Sequence, residues 1–226
     1  MTRLLGASLL VTGLLSLLLL VLFGLGLAPA VASNADEPSV SATGADRQSD
    51  RPAPLVETPL GPVRGLWSPT DPSVAAFRGI RYALPPTGRF RWQPPRPVTE
   101  PWEEPRDATT FGPACPQPDA NVFADLLPAP EREDEDCLFL NVWTPADALN
   151  ADAEPRPVLV WVHGGSFTIG AGSLSVYNGA SLASTDAVIV TLNYRLGVLG
   201  FLATEALSAE SDRGHAGNYG LLDIIE

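Results

Sequence analysis

The runs LFLNVW at 138–143, PVLVWV at 157–162 and AVIVTLNY at 187–194 constrain the fold of this chain more than any other feature. Each is a continuous apolar, β-branched stretch of strand length, without the polar alternation of a strand that keeps one face in water. They read as strands buried on both faces of a sheet. The residues between the last two leave room for a crossover, so an α/β fold is the expectation. Upstream, LVETPLGPVRGLW from residue 55 splits into two short β-prone runs around Pro59, Leu60, Gly61 and Pro62, which predicts a hairpin. Residues 85–118 are dense in proline and predict irregular surface.

Such strands need a core around them, and 226 residues with 45% hydrophobic side chains are enough for one domain. All 14 basic residues are arginine and stand against 26 acidic ones, a net charge of -12. A surface this acidic repels a phosphate backbone, so no nucleic-acid partner is expected. After Arg3 the chain carries no charge from Leu4 to Val31, and Ala30-Val31-Ala32 supplies a small-residue cleavage pattern. Residues 1–32 are therefore expected to be a secretory signal peptide, with an uncleaved membrane anchor over Leu4–Leu27 as the alternative. Either one places the remainder outside the cytoplasm, secreted or periplasmic, and involves a membrane only if the segment stays uncleaved. The stretch SNADEPSVSATGADRQSDRPAP at 33–54 has almost no large apolar residue and reads as a disordered linker, leaving 55–226 as the domain.

Within that domain, PVLVWVHGGSFTIG sets His163, Gly164, Gly165 and Ser166 at the end of a strand. Two residues without side chains let backbone N–H groups approach a substrate oxygen, and a fixed donor to a developing oxyanion is worth roughly 3–4 kcal/mol of barrier. A Gly-Gly pair more commonly serves simply as a tight turn after a strand, and the residues alone favour that reading.

Six segments, VETPLGPVRG, FRGIRYALPP, EDCLFLNVWTP, PVLVWVHGGSF, VTLNYRLGVLGFL and GNYGLLD, resemble in order those of the type-B carboxylesterases, the family that includes the cholinesterases. The resemblance covers roughly residues 55–223. It implies an α/β-hydrolase fold, of which this chain holds the N-terminal portion of the sheet, and hydrolysis of a small carboxylic ester through an acyl-enzyme without a cofactor or metal. It assigns the oxyanion-hole N–H groups to Gly164 and Gly165, makes Ser166 a variable position and gives His163 a structural role rather than that of general base.

The family's nucleophile sits in G-x-S-x-G, a strained strand-to-helix turn. No such pattern occurs. GASLA at 179–183 ends in alanine, so Ser181 is expected to be an ordinary loop or helix residue, and His215 in SDRGHAGN is not expected to be catalytic. The resemblance places nucleophile, acid and histidine after GNYGLLD, and expects glutamine where the chain reads Ile224. The expectation is a chain truncated before the nucleophile elbow, without the catalytic triad and inactive by itself. A non-catalytic, cholinesterase-like binding or adhesion protein and an inactive truncated gene product are the alternatives.

Cys115 and Cys137 are the two cysteines of the chain, with 21 residues between them. In an exported chain an isolated pair predicts a disulfide, worth about 3 kcal/mol for a loop of this size in the chain-entropy model. The resemblance agrees, since FGPACPQ and EDCLFLN flank the family's first disulfide loop. Cholinesterases hold choline against a tryptophan of that loop by cation–π attraction. Here Phe123 is its one aromatic residue, so choline esters are not the expected substrate. The acids of EREDED lack the turn glycine and spacing of a calcium loop and read as a solvated rim. By resemblance Glu135 pairs with Arg91 in a structural ion pair.

Overall fold

The computed structural model describes residues 51–118, 128–212 and 214–226. The expected signal segment, most of the expected linker and Phe123 lie outside the described residues. β1 (Leu55–Thr58) and β2 (Gly61–Arg64) form the expected hairpin, with Thr58 opposite Gly61 and Pro59–Leu60 as its turn. Thr58 closes that turn from its own side chain, Oγ1 accepting from Gly61 N at 3.2 Å and donating to Gly61 O at 2.7 Å. The four residues before β1 belong to the folded part. Pro54 O accepts from Gly65 N at 2.8 Å, Pro52 O accepts from Trp67 Nε1 at 2.8 Å, and the Arg51 guanidinium lies 3.1 Å from the centre of the Trp67 ring. Order thus reaches back at least to Arg51, four residues into the segment read as linker.

β3 (Leu66–Trp67) turns back along β4 (Val74–Arg81), and β5 (Arg106–Asp107) then joins β2 in parallel to complete a small three-stranded sheet. The three apolar runs become β6 (Phe139–Pro145), β7 (Val158–Val162) and β8 (Val188–Leu192). With β3 and β4 they form a five-stranded sheet in the order β3-β4-β6-β8-β7. Its pairs are antiparallel except β7 and β8, which run parallel from Val158 opposite Val188 to Val162 opposite Leu192. The crossover between them carries α1 (Ala180–Ala183), where Ser181 is an exposed helix residue, as expected.

Two-residue periodicity decides what each face packs. Val74 and Ala76 of β4 join Trp143, Ile189 and the alanines of α1 on one side, while Ala75 and Phe77 join Val63 and Ala108 of the small-sheet side on the other. β8 is buried as expected, but β7 is not: Val158, Leu159, Val160, Trp161 and Val162 are 41–62% exposed. The difference is positional. β7 has one hydrogen-bonded neighbour, and among the described residues no strand pairs its outer edge; the Tyr177 ring meets Trp161, centroids 5.4 Å apart, yet all five residues stay largely exposed.

After β8 come α2 (Gly197–Phe201), α3 (Glu205–Glu210) and α4 (Tyr219–Ile225). Arg195 ties α4 to the end of β8. Its backbone N and its Nε donate to Asp223 Oδ2 at 3.0 and 2.8 Å, its NH2 donates to Oδ1 at 2.6 Å and its NH1 to Gln93 O at 2.9 Å. Both side chains are buried, and removing one partner from such a pair costs about 3–5 kcal/mol.

Candidate active site

The chain leaves β7 at His163 and turns sharply. Gly165 O accepts from Thr168 N at 3.0 Å, Ile169 N at 3.1 Å and Thr168 Oγ1 at 3.0 Å, which closes a compact loop. Gly165 enters it at φ 120°, and Ser166 and Phe167 follow at 54° and 62°. A Cβ on Gly165 would lie 2.0 Å from Ile169 O, so this position excludes any side chain on steric grounds alone. Gly164 differs. A Cβ there meets no atom within 4 Å, and the position faces open space. Neither glycine N–H donates to a protein acceptor among the described residues, so both stay available to a ligand.

His163, whose role the resemblance gave as structural, is 3% exposed and lies flat against Tyr194, ring centroids 4.5 Å apart and planes at 17°. Its Nδ1 is 2.8 Å from Gly164 O, and burial lowers its pKa from the ordinary 6.5. A neutral, buried imidazole bonded to a backbone carbonyl is not poised to activate a hydroxyl. Ser166 is exposed and makes no hydrogen bond to His163 among the described residues, so that ring does not activate it.

The loop is clamped from two directions. Phe167 O accepts from Gly197 N at 2.7 Å, and the Phe167 ring sits 5.0 Å from that of Phe201. On the other side Gln117 accepts from Gly170 N at 2.8 Å and donates to Gly170 O and Cys115 O, each at 3.1 Å. Cys115 and Cys137 form the expected disulfide, and both are buried. Asn193 adds three bonds beneath the loop, accepting from Gly172 N at 2.8 Å and donating to Pro113 O at 2.9 Å and Cys137 O at 3.1 Å. The sequence reading did not find Gln117, Asn193 or Tyr194. Asn193 and Tyr194 stand in the quoted VTLNYRLGVLGFL, but nothing in their spacing says which carbonyls they reach.

Glu135 and Arg91 pair as expected, through Nε to Oε2 at 2.8 Å and NH2 to Oε1 at 2.7 Å. The Arg91 side chain is 38% and that of Glu135 30% exposed, so this pair is half-buried, whereas Arg195 and Asp223 form a buried one. EREDED is only partly a free rim, because Asp136 pairs with Arg81 and Glu133 accepts from Gln117 N at 3.2 Å. His215 lines a cavity of about 580 Å³ with Trp92, Glu210, Asp212 and Asn218, and Gly164 and Gly165 are not part of that lining.

The carboxylesterase family profile matches residues 52–226. The chain is 41% identical to the fumonisin B1 esterase of Sphingopyxis macrogoltabida over 181 residues, 79% of this chain and 31% of that one. It is 45% identical to the acetylcholinesterase of Gallus gallus over 179 residues, 75% of this chain and 22% of that one. Among solved structures, a thermophilic para-nitrobenzyl esterase superposes with a TM-score of 0.62 at 40% identity, covering 76% of this chain and 33% of the other. The carboxylesterase of Geobacillus stearothermophilus gives 0.62 and 40% as well, over 75% of this chain and 32% of its own. The chain spans about a third or less of the length of the curated relatives it matches. On the family match and these likenesses together, the chain belongs to the carboxylesterase family and has the α/β-hydrolase fold.

Proposed function

We propose that this chain supplies the oxyanion-hole part of an exported serine carboxylesterase, with Gly164 and Gly165 donating their N–H groups to the carbonyl oxygen of a small carboxylic ester. In the family's reaction a serine nucleophile, with an acid and a base, attacks the carbonyl that these donors hold. One observation carries the reading: at the end of β7, two consecutive N–H groups have no protein acceptor among the described residues, and the first belongs to a glycine whose Cβ position is open. Attack on an ester carbonyl moves a negative charge onto oxygen, and donors held in place before the reaction stabilise it without reorganisation.

The experiment is co-expression of this chain with the part of the Bacillus subtilis para-nitrobenzyl esterase that it does not match, followed by p-nitrophenyl acetate hydrolysis. The expected result is turnover by the purified pair, blocked by a serine-directed inhibitor, and none by this chain alone. Inhibitor-sensitive turnover by the chain alone, or a stable but inactive pair, contradicts the reading.

A further inference from the structure

The side chains nearest Gly164 and Gly165 hold carbonyls, and this determines where the N–H groups point. His163 Nδ1 lies 2.8 Å from Gly164 O. A carbonyl oxygen only accepts, so Nδ1 carries the ring proton and Nε2 keeps its lone pair. Nε2 is buried and has no hydrogen-bond partner among the described residues, so the ring's polar engagement is with this one carbonyl. One residue earlier, the Tyr194 hydroxyl donates to His163 O at 3.0 Å. The peptide bonds here are trans, and in a trans peptide the C=O and N–H point in opposite directions. A donor that fixes the Gly164 carbonyl therefore fixes the direction of Gly165 N–H, and a donor that fixes the His163 carbonyl fixes that of Gly164 N–H.

We infer that His163 and Tyr194 are positioning residues: the imidazole aims the Gly165 N–H, and the phenol aims the Gly164 N–H, at the place where an ester's oxyanion forms. The inference rests on the reading of these two glycines as oxyanion donors. The pair is built to hold its geometry. The two rings stack on each other and are 3% and 2% exposed. Gly170 lies against the imidazole so closely that a Cβ there would be 2.3 Å from Nδ1 and 2.7 Å from Gly164 O, so glycine at 170 lets the loop cover that hydrogen bond. Gln117 holds Gly170 in place and bonds Cys115 O as well, which connects the disulfide to the covering of the bond. Each of these contacts acts on the direction of an N–H; neither side chain has to touch substrate.

The test reads the two amides directly. In the 15N-labelled chain, Gly164 and Gly165 are expected to have order parameters near the rigid-backbone value of about 0.85. Tyr194→Phe removes one hydroxyl and should lower the value for Gly164 to below about 0.6 while leaving Gly165 ordered. His163→Leu should do the reverse, and His163→Asn, which keeps an N–H donor near the position of Nδ1, should restore Gly165. Should His163→Leu fail to fold, the Tyr194→Phe and His163→Asn spectra still decide the assignment. Unchanged amides in Tyr194→Phe, or both amides loosening alike, overturn it. In the active co-expressed pair the same Tyr194→Phe change should lower kcat about tenfold or more, with KM altered by less than about twofold, since a misaimed donor is felt in the transition state. Absence of turnover in the unsubstituted pair would remove the ester-hydrolase reading, and the amide measurements would still decide the positioning roles.

Discussion

Gly165 and Gly164 look alike in sequence and answer to different constraints. At Gly165 a φ of 120° and the Ile169 carbonyl exclude a side chain, so Gly165→Ala should lower stability by about 1–3 kcal/mol from the backbone conformation alone, with the clash adding to that. At Gly164 no atom of the described residues resists a methyl group, so Gly164→Ala should leave the unfolding temperature unchanged and lower kcat/KM in the active pair. Thermal unfolding beside ester hydrolysis separates the two; equal losses of stability would show that Gly164 is constrained by the fold after all. His163 makes a prediction about pH. Burial depresses its folded pKa below 6.5, no carboxylate bonds its ring among the described residues, and Tyr194 and Gly170 are what pack against it. The unfolded chain then binds more protons than the folded one as pH falls through 6.5, so folding stability falls in that direction. Denaturant midpoints from pH 7.5 to 5 should decline, and His163→Asn should flatten that part of the decline; a profile unchanged by the substitution would deny the buried neutral ring. The pattern HGG made this turn legible as a candidate site, since glycine identity carries its meaning locally. Tyr194 and Gln117 were not legible, because their roles depend on which carbonyls the folded chain brings within 3.1 Å.

Strands came through from sequence where the whole element is apolar and β-branched. β6, β7 and β8 fall within two residues of the runs that announced them, and the β1–β2 hairpin follows from its turn residues. β5 did not come through, because two residues, Arg106 and Asp107, carry no periodicity. Burial came through less well than strand formation. A run such as VLVWV declares that it is suited to the centre of a sheet, but whether neighbours are present is a property of the assembly. β7 presents five apolar residues and an unpaired edge among the described residues, the arrangement that invites strand addition between chains. Val160→Lys, at a position 56% exposed, should raise the monomer fraction of this chain in analytical ultracentrifugation. A chain already monomeric at high concentration, and unaffected by Val160→Lys, would contradict this.

For the molecule as a whole, fold and chemistry are divided unevenly along the sequence. Polar contacts from Gln117, beside the disulfide, and from Tyr194 and Gly197, after β8, converge on one short loop after β7, while Arg195 and Asp223 anchor α4 to the end of β8. The extent of the fold was readable from six ordered motifs because they recur with their spacing. A substrate was not legible: the cavity of about 580 Å³ is lined by residues other than Gly164 and Gly165, and among the described residues a Cβ on Gly164 meets no neighbour within 4 Å. The central claim is that Gly164 and Gly165 together hold an oxyanion. The most direct measurement is a crystal structure of the co-expressed pair after reaction with an organophosphate, whose phosphoryl oxygen takes the place of the ester's oxyanion. That oxygen is expected about 2.7–3.1 Å from both Gly164 N and Gly165 N. A phosphorylated enzyme whose oxygen is held by donors elsewhere, with neither glycine N–H in range, would contradict it.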